Sequence, residues 1–122
     1  MKVVRNDTLA SGRAGEDIAA RYLIAKGYVI LTRNYRVREG EIDIVAEREG
    51  AVVFTEVKWR RSDRFAAPGA SVGARKQARL RRAAAFWMAE HGECDARFDV
   101  IEIIEGISSH APRINHIVNA FV

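Results

Sequence analysis

The chain has 122 residues, 48% hydrophobic and 30% charged, which supports one folded core and excludes an intrinsically disordered protein. Its formal net charge of +4 suits a polyanionic partner, and no apolar run approaches the roughly 20 residues that cross a membrane. Met1–Asp7 lacks the apolar stretch of a secretion signal, and the single cysteine, Cys94, has no internal partner, so the expected location is the cytoplasm.

No repeat, low-complexity tract or linker divides the sequence, so residues 1–122 read as one domain. A first helix is expected from about Ser11 to Lys26, with Ile18, Tyr22 and Ala25 on one stripe and Ala19 and Leu23 beside it. Gly27 closes it as the left-handed residue past the end. Tyr28–Tyr35 reads as a strand, followed by a short basic turn from Arg36 to Gly40. Glu41–Glu47 and Val52–Arg60 form a hairpin around Arg48-Glu49-Gly50-Ala51. Alternation puts Ile42, Ile44 and Ala46 on one face of the first strand and Val45 on the other; Val53 and Val57 oppose Val52 and Phe54 on the second. Strands apolar on both faces belong at the centre of a sheet covered on both sides. Arg60–Gly73, which contains Pro68, is a loop; Ala74–Glu90 is a second helix, Arg-rich early and apolar later. Arg97–Ile104 and Ile114–Phe121 add two strands. The expected fold class is α/β, an α-β-β-β-α-β-β sandwich around a central mixed sheet.

The hairpin carries the chemistry. With its loop centred between Glu49 and Gly50, Asp43 lies opposite Glu56 and Glu41 opposite Lys58, all four on one face. The Asp43 and Glu56 Cβ atoms then stand roughly 5 Å apart, and a one-residue slip would separate them. Two carboxylates among Val, Ile and Phe require a shared proton, a basic side chain between them, or a bound cation. Lys58 is placed for partial compensation, and an open pair of carboxylates suits a hard cation such as Mg²⁺. A lysine beside that cation could orient or deprotonate water and stabilise charge on a phosphate. Against this stands the plain reading that Glu-x-Lys on a strand is common by chance.

Glu16 borders the buried stripe of the first helix and could reach the carboxylates, completing a metal shell through a water; the competing reading is a solvated helix residue. From Lys58 to Arg82 the basic residues are opposed only by Asp63. Arg60, Arg61, Arg75, Lys76, Arg79 and Arg82 form the candidate nucleic-acid-binding set, weighed against a solvated helix face and loop. Lys76 shares a helix face with Leu80, Ala83 and Trp87 and leans toward the sheet, where simple snorkelling would also place it. Trp59 faces the other side as core, and His91, His110 and His116 share no spacing that suggests catalysis.

Gly12-x-x-Gly15-Glu16, Asn34-Tyr35-Arg36, Gly40-Glu41-Ile42-Asp43, Phe54-Thr55-Glu56-Val57-Lys58 and Lys76-Gln77-x-x-Leu80 resemble the YraN-like family of bacterial proteins, over about Ser11 to Ile104. That family is similar to the archaeal Holliday-junction resolvases within the restriction-endonuclease-like superfamily. The resemblance implies a restriction-endonuclease-like sandwich, with Asp43, Glu56 and the Val57 carbonyl as metal ligands, Lys58 as the catalytic lysine and Glu16 as the helix carboxylate. Ile42 stands where the superfamily pattern often has proline. The function expected is a Mg²⁺- or Mn²⁺-dependent endonuclease that hydrolyses nucleic-acid phosphodiesters, with DNA, including branched DNA, as substrate. The alternative is a non-catalytic nucleic-acid-binding module within a larger complex. A homodimer is the expected assembly by analogy with enzymes that cut two strands symmetrically.

Overall fold

The computed structural model describes residues 3–61, 72–105 and 111–122, with side chains from residue 12 onward. Its elements follow the expected order: α1 (Val3–Ala25), β1 (Val29–Val37), β2 (Gly40–Arg48), β3 (Ala51–Arg60), α2 (Ala74–His91), β4 (Asp95–Ile104) and β5 (Arg113–Phe121). The expected loop from Arg60 to Gly73 falls largely on residues 62–71, outside the described residues.

α1 ends as its sequence implies. Gly27 takes φ 95°, the Tyr28 N–H reaches back to the Leu23 carbonyl at 2.9 Å, and the Gly27 N–H bonds to the Ile24 carbonyl at 3.0 Å. Those paired bonds satisfy carbonyls that a helix end otherwise leaves open. The β2–β3 turn is equally local in origin: Glu49 and Gly50 hold φ 52° and 82°, the double left-handed geometry of a two-residue hairpin. It pairs Arg48 with Ala51 and carries the register inward to Ile44 opposite Thr55.

The five strands lie in the order β1-β2-β3-β4-β5, antiparallel except for the parallel β3–β4 pair that α2 connects. Each face is covered by one helix. Ala19, Ala20 and Leu23 of α1 pack on Ile44, Ala46, Val53, Ile101 and Ile103, while Leu80, Ala83, Ala84 and Trp87 of α2 pack on Ile42, Val45, Val52 and Phe54. β2 and β3 therefore have apolar residues on both faces because each face has its own helix. Among the described residues no helix is long and apolar enough to cross a membrane.

Ile42 departs from the expected face. It packs under α2, whereas Ile44, two residues on, packs under α1. β1 changes face at the same level: Arg33 bonds to Glu16 and Asp17 of α1, but Tyr35 sets its ring edge-on to Trp87 of α2, 5.3 Å between centroids. Between them Asn34 adopts φ 56°, a left-handed conformation that Asn tolerates better than most residues. Both strands turn over together, at Asn34 on β1 and Asp43 on β2.

Candidate functional site

The turnover builds the site. The β2–β3 ladder stops at Ile44 and Thr55, and one residue further along Asp43 spends a side chain where a ladder spends backbone. Its Oδ2 accepts the Val57 N–H at 2.8 Å. That bond fixes the carboxyl at the edge of β3, beside Glu56, whose residue is only 7% exposed. The two carboxyls are close enough for the charge of Glu56 to act on Asp43.

Burial first and the negative charge of Glu56 second, with smaller contributions from Glu16 and from the nearness of the Glu56 side chain, push the Asp43 carboxyl up to about 7 against the opposing Val57 N–H. Lys76 provides the other half of the compensation. Its Nζ lies 2.9 Å from Glu56 Oε2, and this hydrogen bond, against the opposing effect of burial, lifts the lysine above its ordinary value. Gln77, next along α2, donates to the Val72 carbonyl at 2.9 Å and accepts from Arg81 at 3.2 Å, which ties down the turn that presents Lys76.

Glu16 joins from the opposite helix. Gly15 allows the approach: a Cβ there would lie 3.1 Å from Trp59 Cε3, so α1 rests directly on that ring. Glu16 Oε1 then accepts from Asn34 Nδ2 at 3.0 Å and Arg33 Nη2 at 3.4 Å. The residue that turns β1 over thus also orients the helix carboxylate.

Comparison with known proteins covers this whole arrangement. Residues 15–103 match the model of the "Uncharacterised protein family UPF0102". The UPF0102 protein of Trichlorobacter lovleyi is 44% identical, across 99% of this chain and 97% of its own. Those of Frankia casuarinae and Geobacter sulfurreducens are 46% and 47% identical over 92% and 90% of this chain, and 96% and 87% of theirs. The chain belongs to UPF0102. The matched span begins at Gly15 and ends beyond Glu102, so Glu16, Asn34, Asp43, Glu56, Val57, Lys58 and Lys76 all lie inside the family's shared region.

Within this UPF0102 protein the residues singled out from sequence divide into three groups. Asp43, Glu56 and Val57 are brought together, with Glu16 near enough for its charge to act on Asp43. Lys58 follows on β3, half-buried, with Glu102 of β4 as its neighbour in the parallel register. Arg75, Arg79 and Arg82 are exposed on α2, and Arg61 is exposed just past β3. Two placements differ from expectation. The base on Glu56 is Lys76, which leans toward the sheet as its helix face implied, whereas Lys58 was expected to supply the compensation. Arg60 is turned inward: its Nη1 lies 2.8 Å from Glu102 Oε2, a carboxylate wholly buried and also bonded by Asn115 Nδ2 at 2.8 Å. Arg60 therefore serves as a counter-ion inside the fold rather than as an open phosphate contact.

Sequence reasoning gave no role to Asn34, Arg33 or Glu102. Asn34 carried one usable signal, an Asn in the middle of an otherwise β-rich run. Glu102 carried one too, as a charge inside Val100-Ile101-Glu102-Ile103-Ile104. His116 lies outside the site. It joins Tyr22 Oη (3.0 Å) to Asp99 Oδ2 (2.7 Å), and Asp99 also holds Arg97 and the Asn119 N–H.

The donor set can be judged on its chemistry. Among the described residues no three His, Cys, Asp or Glu side chains form a metal-holding group, so an all-side-chain cage for a transition metal is not built here. Two carboxylates and a main-chain carbonyl are all oxygen donors, which is what Mg²⁺ or Mn²⁺ takes while keeping water or substrate oxygens for the rest of its shell. The residues fit such an ion.

Proposed function

We propose that this UPF0102 protein is a metal-dependent endonuclease that hydrolyses phosphodiester bonds in DNA. The observation that carries the reading is half-buried Asp43 beside buried Glu56, held by the Val57 N–H and Lys76 next to a helix with exposed Arg75, Arg79 and Arg82. Nothing in core packing requires two carboxyls to meet in a sheet centre. The charge of two carboxylates, balanced there by one proton and one lysine, is the kind that a divalent cation neutralises when it displaces them.

Asp43, Glu56 and the Val57 carbonyl would hold Mg²⁺ or Mn²⁺, and the ion would supply Lewis-acid stabilisation of the phosphate and a lower pKa for water. The other roles belong to the chain. Asp43 is held in one orientation by the Val57 N–H, so it would meet the cation without reorganising. Lys58 orients the attacking water and stabilises charge developing on phosphate oxygens. Glu16, steadied by Asn34 and Arg33, adds a carboxylate that can accept a hydrogen bond from solvent at the site. The α2 arginines hold the flanking backbone and set the register of the strand.

The alternative, a binding module without turnover, draws support from the lack of a third acidic ligand among the described residues. Cleavage assays on linear and branched DNA with Mg²⁺ or Mn²⁺ separate the two. The endonuclease reading expects metal-dependent cutting to 5′-phosphate ends. It expects Asp43→Asn and Lys58→Ala to lose roughly 10²–10⁴-fold of the rate, the usual size of a positioned acid–base or electrostatic contribution. Binding that is indifferent to metal and to Asp43, with no cutting of any substrate, selects the module.

A further inference from the structure

Lys76 and Glu56 make an unequal pair. Glu56 sits on β3 between β2 and β4, and its side chain is 9% exposed; Lys76 reaches in from the first turn of α2 on a side chain that is 52% exposed. The carboxylate cannot leave without breaking the sheet. The lysine can, because its flexible stem needs only rotamer changes to carry the ammonium back to solvent. Lys76 holds Oε2 of Glu56, one of the two carboxylates that a divalent cation would take. Two cations on one carboxylate repel, and the more loosely held one yields. Once released, Lys76 stands in the same helical turn as the exposed Arg75 and one turn before Arg79. There it becomes one more positive charge for a phosphate.

We propose that Lys76 is an exchangeable internal counter-ion: it neutralises Glu56 in the cation-free protein, cedes that carboxylate to a divalent cation, and turns its ammonium to the nucleic-acid backbone. The proposal rests on the metal-site reading above and adds a coupling to it. Binding of the cation recruits a phosphate contact, so cation and nucleic acid favour each other's binding through one side chain.

The experiment is a Mn²⁺ titration by calorimetry on the parent, Lys76→Met and Asp43→Asn, paired with amine labelling of the four lysines Lys2, Lys26, Lys58 and Lys76, mapped by mass spectrometry. Met keeps the stem and removes the charge; Lys76→Gln is read the same way should the Met variant fail to fold. Lys76→Met should bind Mn²⁺ roughly three- to tenfold tighter than the parent, in line with removing a partly exposed competing ion pair. In the parent, saturating Mn²⁺ should speed labelling of Lys76 and leave Lys26 unchanged. Uptake by Lys76→Met where the parent shows none overturns the exchange, because Lys76 then keeps Glu56 against the cation. Equal or weaker uptake by Lys76→Met, with parent uptake lost in Asp43→Asn, overturns the exchange and leaves the metal site standing. Tighter uptake without faster labelling overturns the release of Lys76. No uptake in either protein removes the metal site and the exchange together.

Discussion

At the scale of single residues the informative group is Asp43. Its carboxyl is pushed up to about 7 in the folded protein by burial and by Glu56, whereas in the unfolded chain it titrates near the ordinary aspartate value of about 3.9. Between those limits the folded state holds a proton that the unfolded chain has released. Stability from this group is therefore complete below the unfolded value and is lost as pH rises through about 7. Asp43→Asn removes the titration yet keeps an oxygen to accept the Val57 N–H. In metal-free buffer the variant should gain on the parent in unfolding free energy between about pH 4 and about pH 7, by on the order of a few kcal/mol at most. A difference between the two proteins that stays flat over that range would show that Asp43 is not buried against a second charge. The same strain is what makes the pair a candidate for chemistry: a site that costs stability when empty of cations is kept for a reason other than folding.

At the scale of elements, the approach of α2 to the start of β2 decides whether Lys76 can reach Glu56. A Cβ at Gly40 would lie 2.3 Å from the Arg79 carbonyl oxygen and 2.9 Å from its carbon, so helix backbone and strand backbone touch there with no side chain between. Backbone cannot rotate aside. Gly40→Ala should force α2 outward, cost about 1–3 kcal/mol in unfolding free energy, and lengthen the Lys76–Glu56 contact. Wild-type stability by urea denaturation would show that the helix yields more easily than this contact implies. How legible such features are from sequence depends on how local they are. The β2–β3 register was legible because Glu49-Gly50 dictates a two-residue turn, and the turn alone aligns Ile44 with Thr55. The helix end at Gly27 was legible for the same reason. The turnover at Asn34 and Asp43 was not, because strict alternation contains no term for two neighbouring strands twisting over together. That is why Ile42 was expected beside Ile44 and Ala46 and instead packs with Trp87 and Leu80. Arg60 was misjudged for a related reason: it was grouped by charge along the chain, and its partner, Glu102, comes from another element; the lean of Lys76 toward the sheet was legible from its helix face, but Glu56 as its partner was not.

At the scale of the whole molecule, the parallel β3–α2–β4 crossover joins the acidic site to the basic face. β3 carries Glu56, Val57 and Lys58 in consecutive positions; the chain then returns through α2, whose first turn touches Glu56 through Lys76 and whose exposed side carries Arg75, Arg79 and Arg82. In the proposed reading, an anionic backbone held by those arginines would lie beside the carboxylate pair that would otherwise repel it. Counter-ion release makes this testable without any knowledge of turnover. Each phosphate neutralised on duplex DNA contributes about −0.9 to the slope of log affinity against log salt. Arg75→Gln, Arg79→Gln and Arg82→Gln should each reduce the slope by about one, and do so alike on unrelated DNA sequences. Arg81 supplies an internal control on the same helix. Its guanidinium donates to the Val122 carbonyl through Nε at 2.7 Å and through Nη2, and to Gln77 at 3.2 Å. A guanidinium already engaged within the fold has fewer donors to offer, so Arg81→Gln should change the slope less than any of the three. Fluorescence anisotropy of a labelled duplex across a salt series measures all four. A triple variant with the parent's slope would move the nucleic-acid contact off α2, and the carboxylate pair would then lose the basic face that brings phosphate to it.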